Sequence, residues 1–474
     1  SRWLKSSGRG AARCVGAGSM APRKSAKVAP EAPAAEKGPS APDVETPPKP
    51  AKRGRPAAKK EAAPAPETAK EEAAPEEGSQ PQAKKAKKAA APKRDKNVPL
   101  QRSLTPRELA TPEEGRVLKL LSVNVAGLRA VLASDKAKVL AATVAKEAPD
   151  VLCLNEHKLK ESDVEDAEAK LKELLPEYRT AHWSCSTAKK GYAGVAMLLR
   201  HAAEGGAGSA AIQSPHLAKV SLGMGAVGKD DPIIGEEGRV LTLELPELSV
   251  VSTYVPNSGM DLQRLEYRVG REAEKCWDRS LAEYVRGLRD STGKPVVLLG
   301  DMNCGHQVQD IWNMYERPDF PEGLAQKPVA EQYVGLSALK KFAGLTPRER
   351  ESFPKMLEEA DLVDTFRALH PDATGVFSYF SQKVVQNRPM NRGLRLDYVL
   401  ASSSLCSNVG AAAKPGGAEA PLPRLRDSFV LDEDDLVADH AAIGCHILLP
   451  RPAAAEAPAE APAEAPVEAP AEAS

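Results

Sequence analysis

Six polar positions in this chain combine residue type with placement in a way that allows chemistry: Glu156, Asn257, Asp301, Asn303, Asp397 and the pair Asp439-His440. Each lies at or beside the end of an apolar, strand-like run, where loops converge on a cleft. Taken singly, each has an ordinary structural explanation, because Asp and Asn turn and cap chains readily. Their recurrence at successive strand ends points instead to one shared site. Hard divalent cations such as Mg²⁺ take a few carboxylates together with water and phosphate oxygens. Asn amides and a Tyr hydroxyl hold a phosphate without adding negative charge. A His beside an Asp carries a proton or stabilises charge developing on phosphorus.

The elements that must position these groups alternate in type. Strand-like runs are Val117–Val123, Asp150–Leu154, Val195–Arg200, Arg239–Leu245, Leu248–Val255, Pro295–Asn303, Arg395–Ser402 and Ala441–Leu449. Helix-like stretches lie at 134–147 and 261–289. Strands mixed with amphipathic helices predict an α/β sandwich. Stretches 203–237, 310–342 and 410–436 are poor in core residues and are expected as surface insertions.

The 474 residues divide by composition. Residues 1–115 are dominated by Ala, Pro, Lys and Glu and read as a disordered basic tail. Residues 116–450 hold the core of one large domain, and the Glu/Ala/Pro repeat at 451–474 reads as a second disordered tail. A formal net charge of zero hides about +11 in the first hundred residues and about −4 in the last two dozen. A mildly acidic core with a basic arm suits a metal-binding protein drawn to a polyanion. The seven cysteines form no CxxC pair, which excludes the common zinc spacings, and Cys153 and Cys445 read as buried free thiols. No apolar run is long enough to cross a membrane. Clusters at 49–60 and 84–96 resemble nuclear-localisation signals, and Arg53-Gly54-Arg55-Pro56 resembles an AT-hook. Residues 1–30 also resemble an organelle transit peptide, which leaves mitochondrion or plastid as alternatives to the nucleus; the chain opens on Ser1, with Met20 as an alternative start.

The order of motifs carries a family resemblance across nearly the whole core. Ser122–Ala130 (SVNVAGLRA), Asp150–Lys158 (DVLCLNEHK), Gly191–Val195, Glu237–Val240, Tyr254–Gly259 with Arg264–Arg268, Gly300–Asn303, Leu362–Arg367, Asn391–Asp397 and Asp439-His440 resemble, in sequence, the blocks of the exonuclease III/AP endonuclease family. The resemblance implies a four-layered α/β sandwich of the endonuclease/exonuclease/phosphatase type. It also implies a Mg²⁺-dependent hydrolase (Mn²⁺ as an alternative) that cuts 5′ to an abasic site, with 3′-phosphodiesterase or 3′-exonuclease activity. Carried over by position, Tyr254, Asp301, Asn303, Asp397 and His440 are the expected catalytic residues. Asn124, Glu156, Asp301, Asn303, Asp439 and His440 are the expected metal site. Arg129, Tyr192, Asn257, Phe380, Leu394 and Leu396 are the expected substrate contacts, with Phe380, Leu394 and Leu396 forming an apolar pocket for a flipped-out baseless sugar. The expected partners are double-stranded DNA with abasic sites or blocked 3′ ends, and repair proteins through the tails; the expected state is a monomer.

Two departures bear on affinity. Ala126 stands where relatives carry Asp or Asn near the metal, and Met260 where eukaryotic relatives carry an Arg that inserts into DNA. Competing readings are a fold relative acting on another phosphodiester and a non-catalytic DNA-binding scaffold. The RLEYR and NRGLRLD segments and the retained catalytic positions weigh against both.

Overall fold

The computed structural model describes residues 98–107, 116–201, 212, 219–228, 232–270, 275–315, 323–407, 409 and 422–450. The basic clusters, the AT-hook-like tetrapeptide, the N-terminal stretch and the C-terminal repeat lie outside these residues.

The strands are β1 (Arg116–Asn124), β2 (Val151–Asn155), β3 (Thr180–Ser184), β4 (Val195–Leu199), β5 (Lys219–Leu222), β6 (Val240–Glu244), β7 (Ser249–Tyr254), β8 (Val296–Asp301), β9 (Leu362–Asp364), β10 (Asp397–Ser402), β11 (Arg424–Val430) and β12 (Ile443–Leu449). They form two six-stranded mixed sheets, ordered β11-β12-β1-β2-β4-β3 and β5-β6-β7-β8-β10-β9. Side-chain alternation along each strand explains the layering. Leu118, Leu120, Val151, Cys153, Val297 and Leu299 face a core between the sheets. Their neighbours Leu121, Val123, Leu152 and Leu154 face helices Lys136–Glu147 and Val164–Leu174. On the other sheet, Val251, Val296 and Leu298 pack under helices Trp277–Thr292 and Pro347–Ala360. The result is helix, sheet, sheet, helix, as the fold class requires.

The structure departs from expectation in four places. Residues 410–436 were expected as a surface insertion, yet Arg424–Val430 is the edge strand β11 and its apolar residues are buried. Inside 310–342, Asp310, Ile311, Met314 and Tyr333 are buried. The helix expected over 261–289 is two helices, Leu265–Val269 and Trp277–Thr292. Residues 98–107, assigned by composition to the tail, also lie on the domain, with Leu100 buried.

Register carries the polar residues to one level. Tyr254 of β7 pairs with Asp301 of β8, and Asp301 pairs with Asp397 of β10. In the facing sheet, Asn124 of β1 pairs with Asn155 of β2, immediately before Glu156. Gly300 makes the approach of β7 to β8 possible: at φ +142, an added Cβ would lie 2.0 Å from the Thr253 carbonyl oxygen.

Candidate active site

Asp301 sits at the centre of the strand ends and is 2 % exposed. Its Oδ1 accepts from the Asn303 backbone N–H at 2.8 Å, and its Oδ2 accepts from Asn124 Nδ2 at 3.0 Å. The Asn124 amide thus spans the two sheets, and its Oδ1 accepts from the Ala126 N–H at 2.9 Å. Asn303 Nδ2 donates to the Val255 carbonyl at 2.9 Å, while Asn257 Nδ2 donates to Asn303 Oδ1 at 2.9 Å. His440 Nδ1 lies 2.7 Å from Asp397 Oδ2, and its Nε2 is 4.0 Å from Asp301 Oδ2. Ligand atoms of Asp301, Asp397 and His440, all buried, lie within 4.8 Å of one another.

The electrostatics follow from this packing. Burial, then the neighbouring Asp397 carboxylate, push the Asp301 carboxyl up to about 7, against the lowering influence of His440. Burial disfavours a charged His440, but the contact with Asp397 outweighs it and raises the imidazole to about 10. His440 is therefore an imidazolium held by Asp397. Burial, followed by Glu156 and Asp301, lifts the Tyr254 phenol well above its ordinary value, which keeps it a neutral donor. A cation fits this surplus of carboxylate: Asp301 and Asp397 are buried hard oxygen donors, and the half-buried Glu156 carboxylate adds its charge near Asp301. Glu156 (φ 57), Asn303 (φ 47) and Ala126 (φ 47) all adopt left-handed backbone, a cost accepted where surrounding structure fixes a side chain's aim.

Several residues that hold this geometry were not anticipated. The buried Arg268 guanidinium donates to the carbonyls of Asn303 at 2.7 Å and Pro256 at 3.3 Å, locking the loops of Asn257 and Asn303 together. Glu349 caps helix Pro347–Ala360 and also accepts from Ser258 Oγ at 2.6 Å. Ser378 Oγ accepts from the N–H groups of both Leu396 and Asp397 at 2.9 Å. Tyr379 lays its ring against His440, centroids 5.0 Å apart. Lys158 Nζ lies 2.9 Å from Glu156 Oε1 and donates to the Ala126 carbonyl at 3.2 Å. Arg268 stands in the RLEYR block, so a signal existed for it; Ser378 and Tyr379 had none.

The expected substrate residues are spread more widely. The Tyr192 hydroxyl accepts from Arg264 at 2.6 Å and Arg239 at 3.1 Å, within a network that includes Glu237. Leu394 and Leu396 pack with Tyr379, Trp312 and Leu339. Phe380 packs instead with Phe377 and Leu100, although its ring edge reaches Gly393 beside Leu394. Asp439 is half-buried; its carbonyl accepts from the Phe380 N–H at 2.9 Å, and its carboxylate is not part of the Asp301–Asp397–His440 group. Arg129 is exposed and paired with Asp163 at 2.8 Å; none of its hydrogen bonds reaches the other candidates. A cavity of about 710 Å³ beside Trp183 and Glu168 contains none of these residues. The chemistry sits among buried side chains at the strand ends.

Residues 121–418 match the model of the Endonuclease/Exonuclease/phosphatase family. The chain is 35% identical over 306 residues to "DNA repair nuclease APEX1" of Danio rerio, covering 63% of this chain and 78% of that one. It is 31% identical over 296 residues to the "Exodeoxyribonuclease" of Bacillus subtilis (strain 168), covering 62% of this chain and 92% of the relative. Among solved structures, it is similar to AP endonuclease LMAP from Leishmania major, with a TM-score of 0.54 and 27% identity over 75% of this chain and 94% of that one.

Proposed function

The chain belongs to the endonuclease/exonuclease/phosphatase family, and from that membership we propose that it is a metal-dependent AP endonuclease of DNA repair, hydrolysing the phosphodiester 5′ to an abasic site. The observation that carries this reading is the level set Tyr254–Asp301–Asp397 with His440 paired to Asp397 at 2.7 Å. Relatives named as DNA repair nuclease and exodeoxyribonuclease support the substrate class.

In the proposed reaction, Asp301 orients a water and takes its proton as the water oxygen bonds to phosphorus. An acid raised to about 7 is matched to that task near neutral pH. The bond from phosphorus to the 3′ oxygen breaks and that oxygen takes a proton from solvent, leaving a 3′-hydroxyl on one side and a 5′-phosphate bearing the baseless sugar on the other. His440, protonated through Asp397, donates to a non-bridging oxygen and offsets the growing charge. Tyr254, Asn257 and Asn303 hold the phosphate by neutral donors. Glu156, with Asn124 nearby, would hold a divalent cation, Mg²⁺ with Mn²⁺ as the alternative, which would supply charge neutralisation for the phosphate. Tyr379, Leu394 and Leu396, with Phe380 behind them, form the apolar wall for an extruded sugar, a step that costs least where no base is unstacked. The same centre serves 3′-phosphodiesterase or 3′-exonuclease work. The basic arm supports a nuclear, DNA-associated role for a monomer.

An abasic-site duplex incubated with the full chain, with and without Mg²⁺, tests the reading. Cleavage 5′ to the lesion, abolished by EDTA and by Asp301→Asn, is the expected result. Binding without cleavage would favour the scaffold alternative.

A further inference from the structure

Residues 98–107 run across the back of the wall that carries Tyr379 and Phe380. Leu100 is 5 % exposed and packs on Phe377 and Phe380. Its N–H donates to the Met390 carbonyl at 3.1 Å, and its own carbonyl accepts from Asn391 Nδ2 at 3.3 Å. Ser103 and Thr374 exchange two backbone hydrogen bonds of 2.9 Å. Between them, at Gly375 (φ +67), an added Cβ would lie 2.2 Å from the Gln101 carbonyl oxygen, so the segment crosses in direct backbone contact. Further along, Arg102 pairs with the buried Asp432 at 3.1 Å and with Glu433 at 3.0 Å. Arg107 pairs with Asp427 at 2.8 Å and Glu147 at 3.1 Å, with its guanidinium over the Phe429 ring.

These contacts converge on three stretches that flank the site. The stretch 374–380 bears Ser378, Tyr379 and Phe380; the stretch 390–394 leads into Leu394; the stretch 427–433 leads towards His440. The first two are joined at the site by the Tyr379–Leu394 exchange and behind it by Asn391 Nδ2, which donates to the Gly375 carbonyl at 2.8 Å; towards His440 the links are Ala441 N–H to the Ser378 carbonyl at 2.7 Å and Phe380 N–H to the Asp439 carbonyl at 2.9 Å. A short apolar side chain behind Phe377 and Phe380, on a segment bonded to both flanks, fixes the depth at which that wall stands.

We infer that Leu100 is a positioning residue for substrate selection: the 98–107 segment clamps the Phe377–Phe380 wall and so sets how closely the site fits a baseless sugar. This rests on the endonuclease reading. Truncating Leu100 leaves Asp301, Asp397 and His440 bonded as before, so it loosens the fit without dismantling the chemistry.

The test uses the full chain with Leu100→Ala, Leu100→Met as the conservative variant, and Gly375→Ala, which lifts the segment by a second route. Hydrogen exchange over residues 377–381 is expected to rise about tenfold in Leu100→Ala with β8 unchanged, because local opening frees the wall alone. Leu100→Met is expected to restore it. KM for the abasic duplex is expected to rise about fivefold to tenfold, and preference over undamaged duplex to fall by as much, with kcat held within about twofold, because misplacement acts on fit. Unchanged KM and unchanged exchange in Leu100→Ala, beside normal incision by the parent chain, overturn the positioning role alone. Exchange that rises equally in β8 marks general destabilisation and overturns it too. A parent chain that does not incise abasic DNA overturns the endonuclease reading, and the selection role with it.

Discussion

Asp397→Asn separates the charge of the Asp397–His440 pair from its shape. In the folded chain, Asp397 Oδ2 stands 2.7 Å from His440 Nδ1, and burial acts against the charged ring. Raising the imidazole from 6.5 to about 10 corresponds to about 5 kcal/mol of preference for the protonated form, a figure set mainly by one carboxylate. An Asn at 397 keeps a neutral contact but removes that charge, leaving burial opposed only by the weaker influence of Asp301 and Asp439. The His440 pKa should then fall below about 7, so that at pH 7.5 the ring is mostly neutral. Loss of a charged donor aimed at the phosphate should lower the single-turnover incision rate by about 10²- to 10³-fold. The remaining activity should rise as pH falls from 9 towards neutrality and stop rising where Asp301 takes up its proton, whereas the parent is flat above neutrality and falls below it. Labelled-histidine NMR titration of both proteins, paired with single-turnover rates from pH 5.5 to 9, measures both quantities. A neutral His440 at pH 7.5 in the parent, or an unchanged rate in Asp397→Asn, refutes the assignment of an imidazolium to the reaction.

Restoring a carboxylate at Ala126→Asp beside Glu156 and Lys158 should lower the Mg²⁺ concentration for half-maximal incision by about tenfold; an unchanged half-saturation, or unchanged calorimetric affinity, would remove Ala126 from the metal argument. His157 and His446 are buried, and burial pushes each down to about 4. Unfolded histidines near 6.5 bind protons that the folded chain refuses, so stability is full above about 6.5 and falls as pH drops towards 4, by about 2 kcal/mol per histidine at pH 5. Urea unfolding at pH 7.5 and 5, repeated with His157→Asn, checks the sign and size. Asp310 accepts from Arg395 at 2.8 Å and Arg367 at 2.6 Å and is wholly buried. Asp310→Ala leaves Arg367 without its carboxylate and Arg395 with Asp364 alone, and should cost about 3–5 kcal/mol by chemical denaturation; a loss below 1 kcal/mol would mean that the network is not what holds Gly393–Asp397.

Much of the site could be read in the sequence because strand ends are local facts. Val117–Val123, Asp150–Leu154 and Pro295–Asn303 announce buried strands by their apolar runs, and Glu156 and Asp301 follow from their position at the ends, whereas Asn124 is marked only by the family resemblance. The register that sets Tyr254, Asp301 and Asp397 level is not local. It depends on Gly300 admitting the Thr253 carbonyl and on Ser378 gathering two N–H groups from a distant loop. Strand β11 was missed because it alternates Arg424, Leu425, Arg426 and Asp427, a charged pattern whose partners, Arg107 and β12, lie far along the chain. The 98–107 segment was missed for a related reason: two Leu and two Arg in a polar, Pro-containing context give no periodicity, yet each finds a buried partner.

The departures at Ala126 and Met260 take on a definite meaning from this distribution. Asp301 is held by Asn124 and by the Asn303 backbone, Asn303 is held by Val255 and Asn257, and His440 is held by Asp397. Neither Ala126 nor Met260 contributes a side-chain bond to that set. Ala126 offers its carbonyl to Lys158 and leaves the Lys158 ammonium beside Glu156 without a second carboxylate. Met260 is 83 % exposed on the loop beyond Asn257. On the proposed reading, variation at these two positions changes how strongly a cation and a nucleic-acid strand are held, and leaves the geometry that breaks the bond intact. If either substitution lowered the single-turnover rate at saturating metal and substrate, the separation between holding and cutting would be wrong, and the loops would have to be part of the catalytic frame.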